Sequence, residues 1–344
     1  MAQINKSSDY FNTVTYSGNG STQSITGVNF QPDATWIKAR SGTYGTENHN
    51  FYNAISGATK FLIPNGTSLE GTDANSLTSF DSDGFSVGTR TDINGSSSEY
   101  VAWNWLADNT SGSSNTDGSI TSTVSANTTS GFSIVSYTGT GANATVGHGL
   151  GVAPKVVIYK NRSTTDYWYV YTDSSGWDQR LHLNTTASKA TSTTLQSTAP
   201  SSSVVSIGTD PSVNGSGNDI IMYVMAEKKG FSKFGSYTGN GNADGSFIYL
   251  GFKPAFVINK IYSGTTSSWN IFDNKRDGFN DQNKQLYADL SNAEASGGKI
   301  DLLSNGFKVR SSSDEVNGSG YGYIYMAFAE SPLVGTNNTP ATAR

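Results

Sequence analysis

Short apolar runs alternate along this chain with stretches rich in Ser, Thr, Asn and Gly. The runs are rich in Val, Ile, Tyr, Phe and Trp, a composition typical of β-strands, and no long segment has a helical period. The clearest runs are TWIKA (35–39), FSIVSY (132–137), KVVIYK (155–160), DIIMYVM (219–225), AFVINK (255–260) and YGYIYMAF (321–328). Several are apolar at consecutive positions, so we expect strands covered on both faces in an all-β fold.

Three local signatures occur in the same order three times. The first is an aromatic strand ending in Tyr before a Gly-x-Gly turn: TYSGNG (15–20), SYTGTG (136–141) and SYTGNG (236–241). The second is Pro before an apolar strand containing Lys: PDATWIK (32–38), PKVVIYK (154–160) and PAFVINK (254–260). The third is Asn-Gly-Ser before an aromatic strand ending in Ala, starting at Asn94, Asn214 and Asn317. Matched order at matched spacing indicates internal duplication.

The repetition predicts three tandem antiparallel β-sandwich modules, of jelly-roll or lectin-like type. We define the first, second and third repeats as residues 10–107, 131–227 and 231–330. Residues 1–9 are predicted to be an N-terminal arm, and 331–344 a disordered or docking C-terminal arm. Residues 108–130, rich in Ser, Thr, Asn and Gly, are either a linker or an edge strand, with 119–124 as the segment that would pair.

The turn signature has a conformational explanation. Gly tolerates the positive φ of tight turns, and Asn-Gly is typical of type I′ hairpins. We therefore assign a scaffold role to Gly18, Gly20, Gly139, Gly141, Gly239, Gly241, Asn94, Asn214 and Asn317. The strand that closes each repeat has large side chains on both faces and is predicted to be a central strand of its sheet.

Composition narrows the function. The chain has no Cys, which excludes disulfides, Cys-ligated metals and a thiol nucleophile. Charged residues are only 14% of the chain and the net charge is −5, without a basic cluster, so we expect no nucleic-acid partner. There is no apolar run long enough for a transmembrane helix and no secretory leader at the N-terminus, so we expect neither membrane insertion nor secretion.

Catalytic constellations are weak. The Gly-x-Gly pairs lack the helix that a phosphate-binding fingerprint requires. The three histidines, His49, His148 and His182, occupy positions that do not recur among the repeats. Carboxylate pairs such as Asp81/Asp83, Asp277/Asp281 and Asp314/Glu315 lie in polar, loop-like segments. We therefore predict a non-enzymatic protein without a cofactor, and a loop Ca²⁺ site built from Asp and Asn oxygens stays open as an alternative.

An aromatic cluster is the strongest ligand-binding candidate. Tyr167, Trp168 and Trp177 would offer ring faces for stacking against the apolar side of a sugar. Trp168 matches Trp269 of the third repeat, however, and a position that recurs favours a scaffold role.

The segments FNTVTYSGNGSTQSITGVNFQPDATWIKARSG, NTDGSITSTVSANTTSGFSIVSYTGTGANATVGHGLGVAPKVVIYKNRS and YIYMAFAESP resemble a family of repeat-containing virion structural proteins of marine and cyanobacterial tailed bacteriophages. The resemblance extends from about residue 10 to 344, and the Gly-His-Gly-Leu-Gly run at 147–151 is its most specific part. It implies a tail-associated or head-surface protein of concanavalin-like or jelly-roll modules, and it implies no catalytic residues. Because the first repeat begins by about residue 10, a compact appended subunit is favoured over a long fibre.

These observations lead to one main hypothesis, a bacteriophage virion surface protein assembled in the host cytoplasm. It would be either a tail adhesin or fibre component that contacts host-cell carbohydrate, or a capsid decoration protein. Its partners would be other virion proteins, with homo-oligomers on the particle. The alternatives are a virion-associated polysaccharide depolymerase, which needs two carboxylates flanking a cleft, and a secreted bacterial adhesin.

Overall fold

The chain forms an all-β structure, seen in a computed structural model that describes residues 3–280, 282–335 and 340–341. Strand accounts for 46% of the residues and helix for 3%, as the short apolar runs predict. The strand pairs are antiparallel. Among the described residues, no helix is long and apolar enough to cross a membrane.

The first repeat contains three sheets, preceded by a 3-10 turn at Ser7–Asp9. Its elements are β1 (Phe11–Ser17), β2 (Gln23–Thr26), β3 (Ala34–Gly42), β4 (Asn50–Asn53), β5 (Lys60–Phe61), β6 (Gly71–Thr72), β7 (Leu77–Asp81), β8 (Gly84–Val87), α1 (Thr91–Asn94) and β9 (Ser98–Trp105). The strand orders are β1-β9-β3-β4, β2-β8-β7 and β5-β6.

The second repeat forms an eight-stranded sheet that begins before residue 131. Its elements are β10 (Ser113–Asn115), β11 (Ser122–Asn127), β12 (Phe132–Thr138), β13 (Ala144–Gly147), β14 (Val156–Asn161), β15 (Trp168–Thr172), β16 (Gln179–His182), β17 (Ala190–Thr191), β18 (Val204–Ile207), α2 (Pro211–Asn214) and β19 (Asp219–Met225). The main sheet has the order β10-β11-β12-β19-β14-β15-β16-β17, and β13 pairs with β18. The segment 108–130 therefore supplies edge strands, the second of the two alternatives.

The third repeat forms one eight-stranded sheet. Its strands are β20 (Ser232–Thr238), β21 (Phe247–Tyr249), β22 (Phe252–Ser263), β23 (Asn270–Asp273), β24 (Gln282–Tyr287), β25 (Ala295–Leu303), β26 (Gly306–Val309) and β27 (Gly322–Pro332). Their order is β20-β27-β22-β23-β24-β25-β26-β21. The four strands β20-β27-β22-β23 match β12-β19-β14-β15 and β1-β9-β3-β4 in order and direction.

The closing strands β9, β19 and β27 each have a neighbour on both sides, so the prediction of central strands is confirmed. In β9, Val101, Trp103 and Trp105 face one apolar core, whereas Tyr100 and Ala102 face another. This alternation follows from the two-residue period of a strand.

The expected type I′ hairpin at Asn-Gly is wrong. Asn94 ends the short helix α1, and Gly95 has φ −64°, which any residue adopts. The positive φ falls instead at Ser97, with a value of 65°. A helical turn therefore leads into the closing strand, and the Asn serves the adjacent Gly-x-Gly turn.

The three repeats pack around one shared aromatic core. The ring of Trp105 lies 6.3 Å from Phe132 of the second repeat and 5.9 Å from Phe328 of the third, between centroids. A small cavity of about 40 Å³, lined entirely by apolar side chains from all three repeats, lies in this core. Each repeat has in addition its own core on the opposite face of its sheet.

The described parts of both predicted arms lie close together. Gln3 donates a side-chain hydrogen bond to the carbonyl oxygen of Val334, and Leu333 donates its amide to the oxygen of Gly251. Residues 1–2, 336–339 and 342–344 of the arms lie outside the described residues.

Candidate functional site

The Gly-x-Gly turns have one geometry in all three repeats. The second glycine has positive φ, between 68° and 74°, and its amide donates to the carbonyl oxygen of the signature Asn at 2.8 Å; these pairs are Gly20–Asn94, Gly141–Asn214 and Gly241–Asn317. The first glycine is needed for close approach: a Cβ on Gly18, Gly139 or Gly239 would lie only 2.1–2.3 Å from a main-chain oxygen. The turns therefore serve the backbone, and a strand rather than a helix follows the turn in each repeat.

The signature Asn side chain is completely buried in each repeat. In the second repeat, Asn214 accepts from the amide of Thr140 (2.8 Å) and donates to the oxygens of Ala142 (2.6 Å) and Gly208 (2.7 Å). Asn94 makes the same three bonds, and Asn317 makes the first two, from the amide of Asn240 and to the oxygen of Asn242. Each Asn thus ties its own segment to the Gly-x-Gly turn, and Asn94 and Asn214 also bind a third backbone segment, at Gly88 and Gly208. The polar atoms of these side chains are used by the scaffold.

The structure separates the three members of the predicted aromatic platform. Trp168 is only 1% exposed, and its indole Nε1 donates to the main-chain oxygen of Ile63. Tyr167 is 43% exposed and stacks on His182 with ring centroids 4.5 Å apart. Trp177 is partly buried, and its Nε1 donates to Asp173. Trp168 therefore offers no ring face to a sugar, because the alternation of side chains along the strand directs it into the shared core. The prediction that Trp168 contacts a glycan is wrong.

Equivalent positions at the start of β4, β15 and β23 connect the repeats in a closed ring. Each donates a ring N–H to a main-chain oxygen of the preceding repeat: Trp168 to Ile63 (2.9 Å), Trp269 to His182 (2.9 Å) and His49 to Tyr287 (3.0 Å). Nδ1 of His49 accepts from the indole of Trp36 at 2.8 Å, so Nε2 carries the proton. The second repeat thus bonds to the first, the third to the second, and the first to the third.

The Lys of the second signature is buried at the same boundaries. Lys160 donates to Thr67 O of the first repeat (3.1 Å), and Lys260 to Thr186 O of the second (2.8 Å). Lys38 donates within its own repeat, to Gly45 O (2.7 Å). Burial lowers the pKa of Lys38 to about 7 and those of Lys160 and Lys260 to about 8. Sequence reasoning gave these lysines no role, although a Lys recurring inside an apolar strand was the available signal.

A second set of contacts between repeats involves the residue two positions after each signature Lys. Arg162 pairs with Glu70 (2.7 Å) between the second and first repeats, and Arg40 pairs with Glu294 (3.4 Å) between the first and third. At the remaining boundary, Lys189 Nζ lies 5.0 Å from the ring centroid of Tyr262, a cation–π contact in place of the ion pair.

The boundary between the first and third repeats carries further buried charge. Arg276 pairs with Asp273 (2.6 Å) and Glu294 (3.1 Å), and all three side chains are almost fully buried. Trp103 of the first repeat donates its indole N–H to the same Asp273 carboxylate at 3.0 Å. Burial alone would raise the pKa of Asp273, but Arg276 and these hydrogen bonds hold it below its usual value. This is the boundary at which no chain connection joins the two repeats.

The other titratable candidates are dispersed. Burial lowers the pKa of all three histidines. Among the described side chains, none of these histidines is hydrogen-bonded to a hydroxyl group that could act as a nucleophile. Asp83 accepts the amides of Gly27 and Asn29, as a turn residue does. Asp281 lies outside the described residues. Among the residues that the structure describes, no group of three His, Cys, Asp or Glu side chains is placed to hold a metal ion.

Open polar clefts lie beside the Gly-x-Gly turn at equivalent places in the second and third repeats. Equivalent lining residues are Asn143, Thr193 and Gly208 in one, and Ala243, Gly298 and Arg310 in the other. The third-repeat cleft also contains Asp301, which pairs with Arg310 at 2.7 Å.

No curated protein matches the chain. Residues 6–332 match the family model described as a domain of unknown function, DUF7483. Because the match includes all three repeats and all the ring contacts, the chain belongs to the DUF7483 domain family.

Proposed function

We propose that this chain is a non-enzymatic structural protein of a bacteriophage virion surface, built of three β-sandwich modules of jelly-roll type. The observation that carries the proposal is that the three repeats are joined to one another in a closed circle. Aromatic N–H donors at equivalent positions make the connecting hydrogen bonds at all three boundaries, and buried lysines and ion pairs add to them. Such an arrangement packs the repeats tightly around one shared aromatic core and resists deformation, which suits a component of a particle.

The proposal has two versions. In one, the protein is a tail adhesin or fibre component whose polar surface clefts contact host-cell carbohydrate. In the other, it is a capsid decoration protein held by other virion proteins. Several copies on one particle would multiply weak contacts in either version.

Immunogold labelling of purified virions with an antibody against this chain distinguishes the versions. Gold at the tail tip or fibres supports the adhesin, and gold over the head supports the decoration protein. An absence of label on intact particles, with the antibody shown to recognise the folded chain, would refute the virion role. Loss of host capsule on incubation with the purified protein would instead favour the depolymerase.

A further inference from the structure

Strand β20 is an uncovered counterpart of β12. Both are the first strand of their repeat and pair with the closing strand in the same register. The free side of β12 is covered by β11, which pairs Thr123 with Ser136 and Ala126 with Ser133. β20 lies at the end of its sheet, and beyond the bridge between Lys228 and Ser232 at its start no strand of the described residues lies on its free side. Accordingly Ser236 is exposed, whereas its equivalent Ser136 is partly buried.

Among the described residues, the connector that precedes β20 is too short to supply a covering strand. β11 comes from the long connector 108–130, whereas only residues 226–231 separate β19 from β20. An uncovered edge presents main-chain donors and acceptors that another strand can pair with.

The amide of Ser232 at the start of this edge donates to Lys228 O at 3.0 Å, and the polar groups that follow it are less well satisfied. The amide of Phe234 reaches a carboxylate oxygen of Glu227 only at 3.4 Å, whereas the equivalent amide of Thr13 is bonded by Asn12 at 3.0 Å. Lys233 donates to the oxygen of Tyr249 at 3.2 Å, and no carboxylate among the described residues lies within ion-pairing distance of it. Its positive charge is therefore available to a partner.

One exposed aromatic side chain lies beside this edge, Tyr249 of β21, and a second, Phe247, lies two residues before it on the same strand. Phe247 is 46% exposed and Tyr249 53%, and Nζ of Lys233 lies 5.6 Å from the Tyr249 ring centroid. The positions that align with them in β2 are Ser24 and Thr26, which are small and polar. Exposed aromatic area on an edge is a cost that a docked partner would relieve.

We propose that β20 is a strand-acceptor site, which takes an extended segment of another polypeptide as β12 takes β11. The segment pairs antiparallel with β20 through main-chain hydrogen bonds, and an acidic side chain at the position equivalent to Ala126 meets Lys233. Charge complementarity at Lys233 and the intramolecular precedent of β11 select a polypeptide rather than a sugar. This inference is independent of the proposed virion role.

Disulfide trapping tests the site directly, because the chain has no Cys. The probe is a synthetic peptide with the sequence of residues 119–128 that carries Thr123→Cys and Ala126→Glu. The full-length variant Ser236→Cys places a thiol opposite the peptide thiol, since Thr123 pairs with Ser136 in β11–β12. The matched control is Thr15→Cys, at the equivalent exposed position of β1.

We expect the Ser236→Cys protein to trap the peptide at least about fivefold faster than the Thr15→Cys protein, by intact-mass analysis, because pairing raises the effective thiol concentration. A peptide with Ala126→Lys in place of Ala126→Glu should lose the advantage. Unfolding midpoints equal to that of the parent chain exclude misfolding. Equal trapping rates for the two proteins would overturn the proposal, and so would carbohydrate binding that is abolished by Tyr249→Ser.

Discussion

The indole N–H of Trp269 donates to the main-chain oxygen of His182 at 2.9 Å, across the boundary between the third and second repeats. Trp168 makes the same bond to Ile63 one boundary earlier. In the first repeat His49 occupies the equivalent position and makes the bond, and the large indole ring belongs to Trp36 on the neighbouring strand β3. The hydrogen bond is thus retained while the residues that provide it differ.

Replacing Trp168 or Trp269 with Phe should lower the free energy of unfolding by about 1–3 kcal/mol, because a buried carbonyl loses its donor. The same change at Trp177, which is partly exposed, should cost less than about 1 kcal/mol. Urea denaturation followed by far-UV circular dichroism measures both. Equal effects at the three tryptophans would contradict a role for the ring hydrogen bonds.

Replacing Asn214 with Ala should be among the most damaging single substitutions in the second repeat. It removes three hydrogen bonds from buried or partly buried backbone groups, at about 1–3 kcal/mol for each group left unsatisfied. Asn143→Ala, at an exposed position beside the same turn, is the matched control and should change stability little. Thermal unfolding of the two variants side by side decides the point.

The buried lysines should make stability depend on pH. Burial lowers the folded-state pKa of Lys160 to about 8, so between about pH 8 and the unfolded value near 10 the unfolded chain binds more protons. Stability contributed at this site therefore rises with pH in that window and is lowest below it. We expect the stability difference between wild type and Lys160→Met to shift by on the order of 1 kcal/mol in favour of wild type from pH 7 to pH 9. An unchanged difference in urea titrations at the two pH values would mean that Lys160 keeps its ordinary pKa.

Arg276 should be essential for closing the ring between the first and third repeats. Arg276→Met leaves the buried Asp273 carboxylate without its counter-charge and leaves Glu294 with only its longer pairs to Arg40 and Lys284, which should cost about 3–5 kcal/mol. Lys155→Met breaks a pair whose partners are both more than 40% exposed, and should cost no more than about 1 kcal/mol. Guanidinium unfolding measures both variants, and similar small losses would show that the buried network is dispensable.

Some contacts were within reach of sequence reasoning and others were not. The match between Trp168 and Trp269 correctly pointed to a scaffold role, because a side chain that recurs at one register position meets the same surroundings each time. The pair Arg162–Glu70 joins residues 92 positions apart, in different repeats, and no sequence pattern predicts a contact over that separation. The exchange of Trp36 and His49 was visible only as two residues that break the repeat pattern.

The sequence by itself determined the strands, the three repeats and the central position of each closing strand, since these depend on local alternation of apolar and polar residues and on turn chemistry. The repeat pattern also predicted a scaffold role for the glycines and the Asn of the turns, but not the contacts that require each of them. Only the tertiary structure decided that the repeats enclose a common core, that Trp168 is buried, and that β12 is covered whereas β20 is open. These outcomes depend on which faces meet across long sequence separations, and packing, rather than local propensity, selects those contacts.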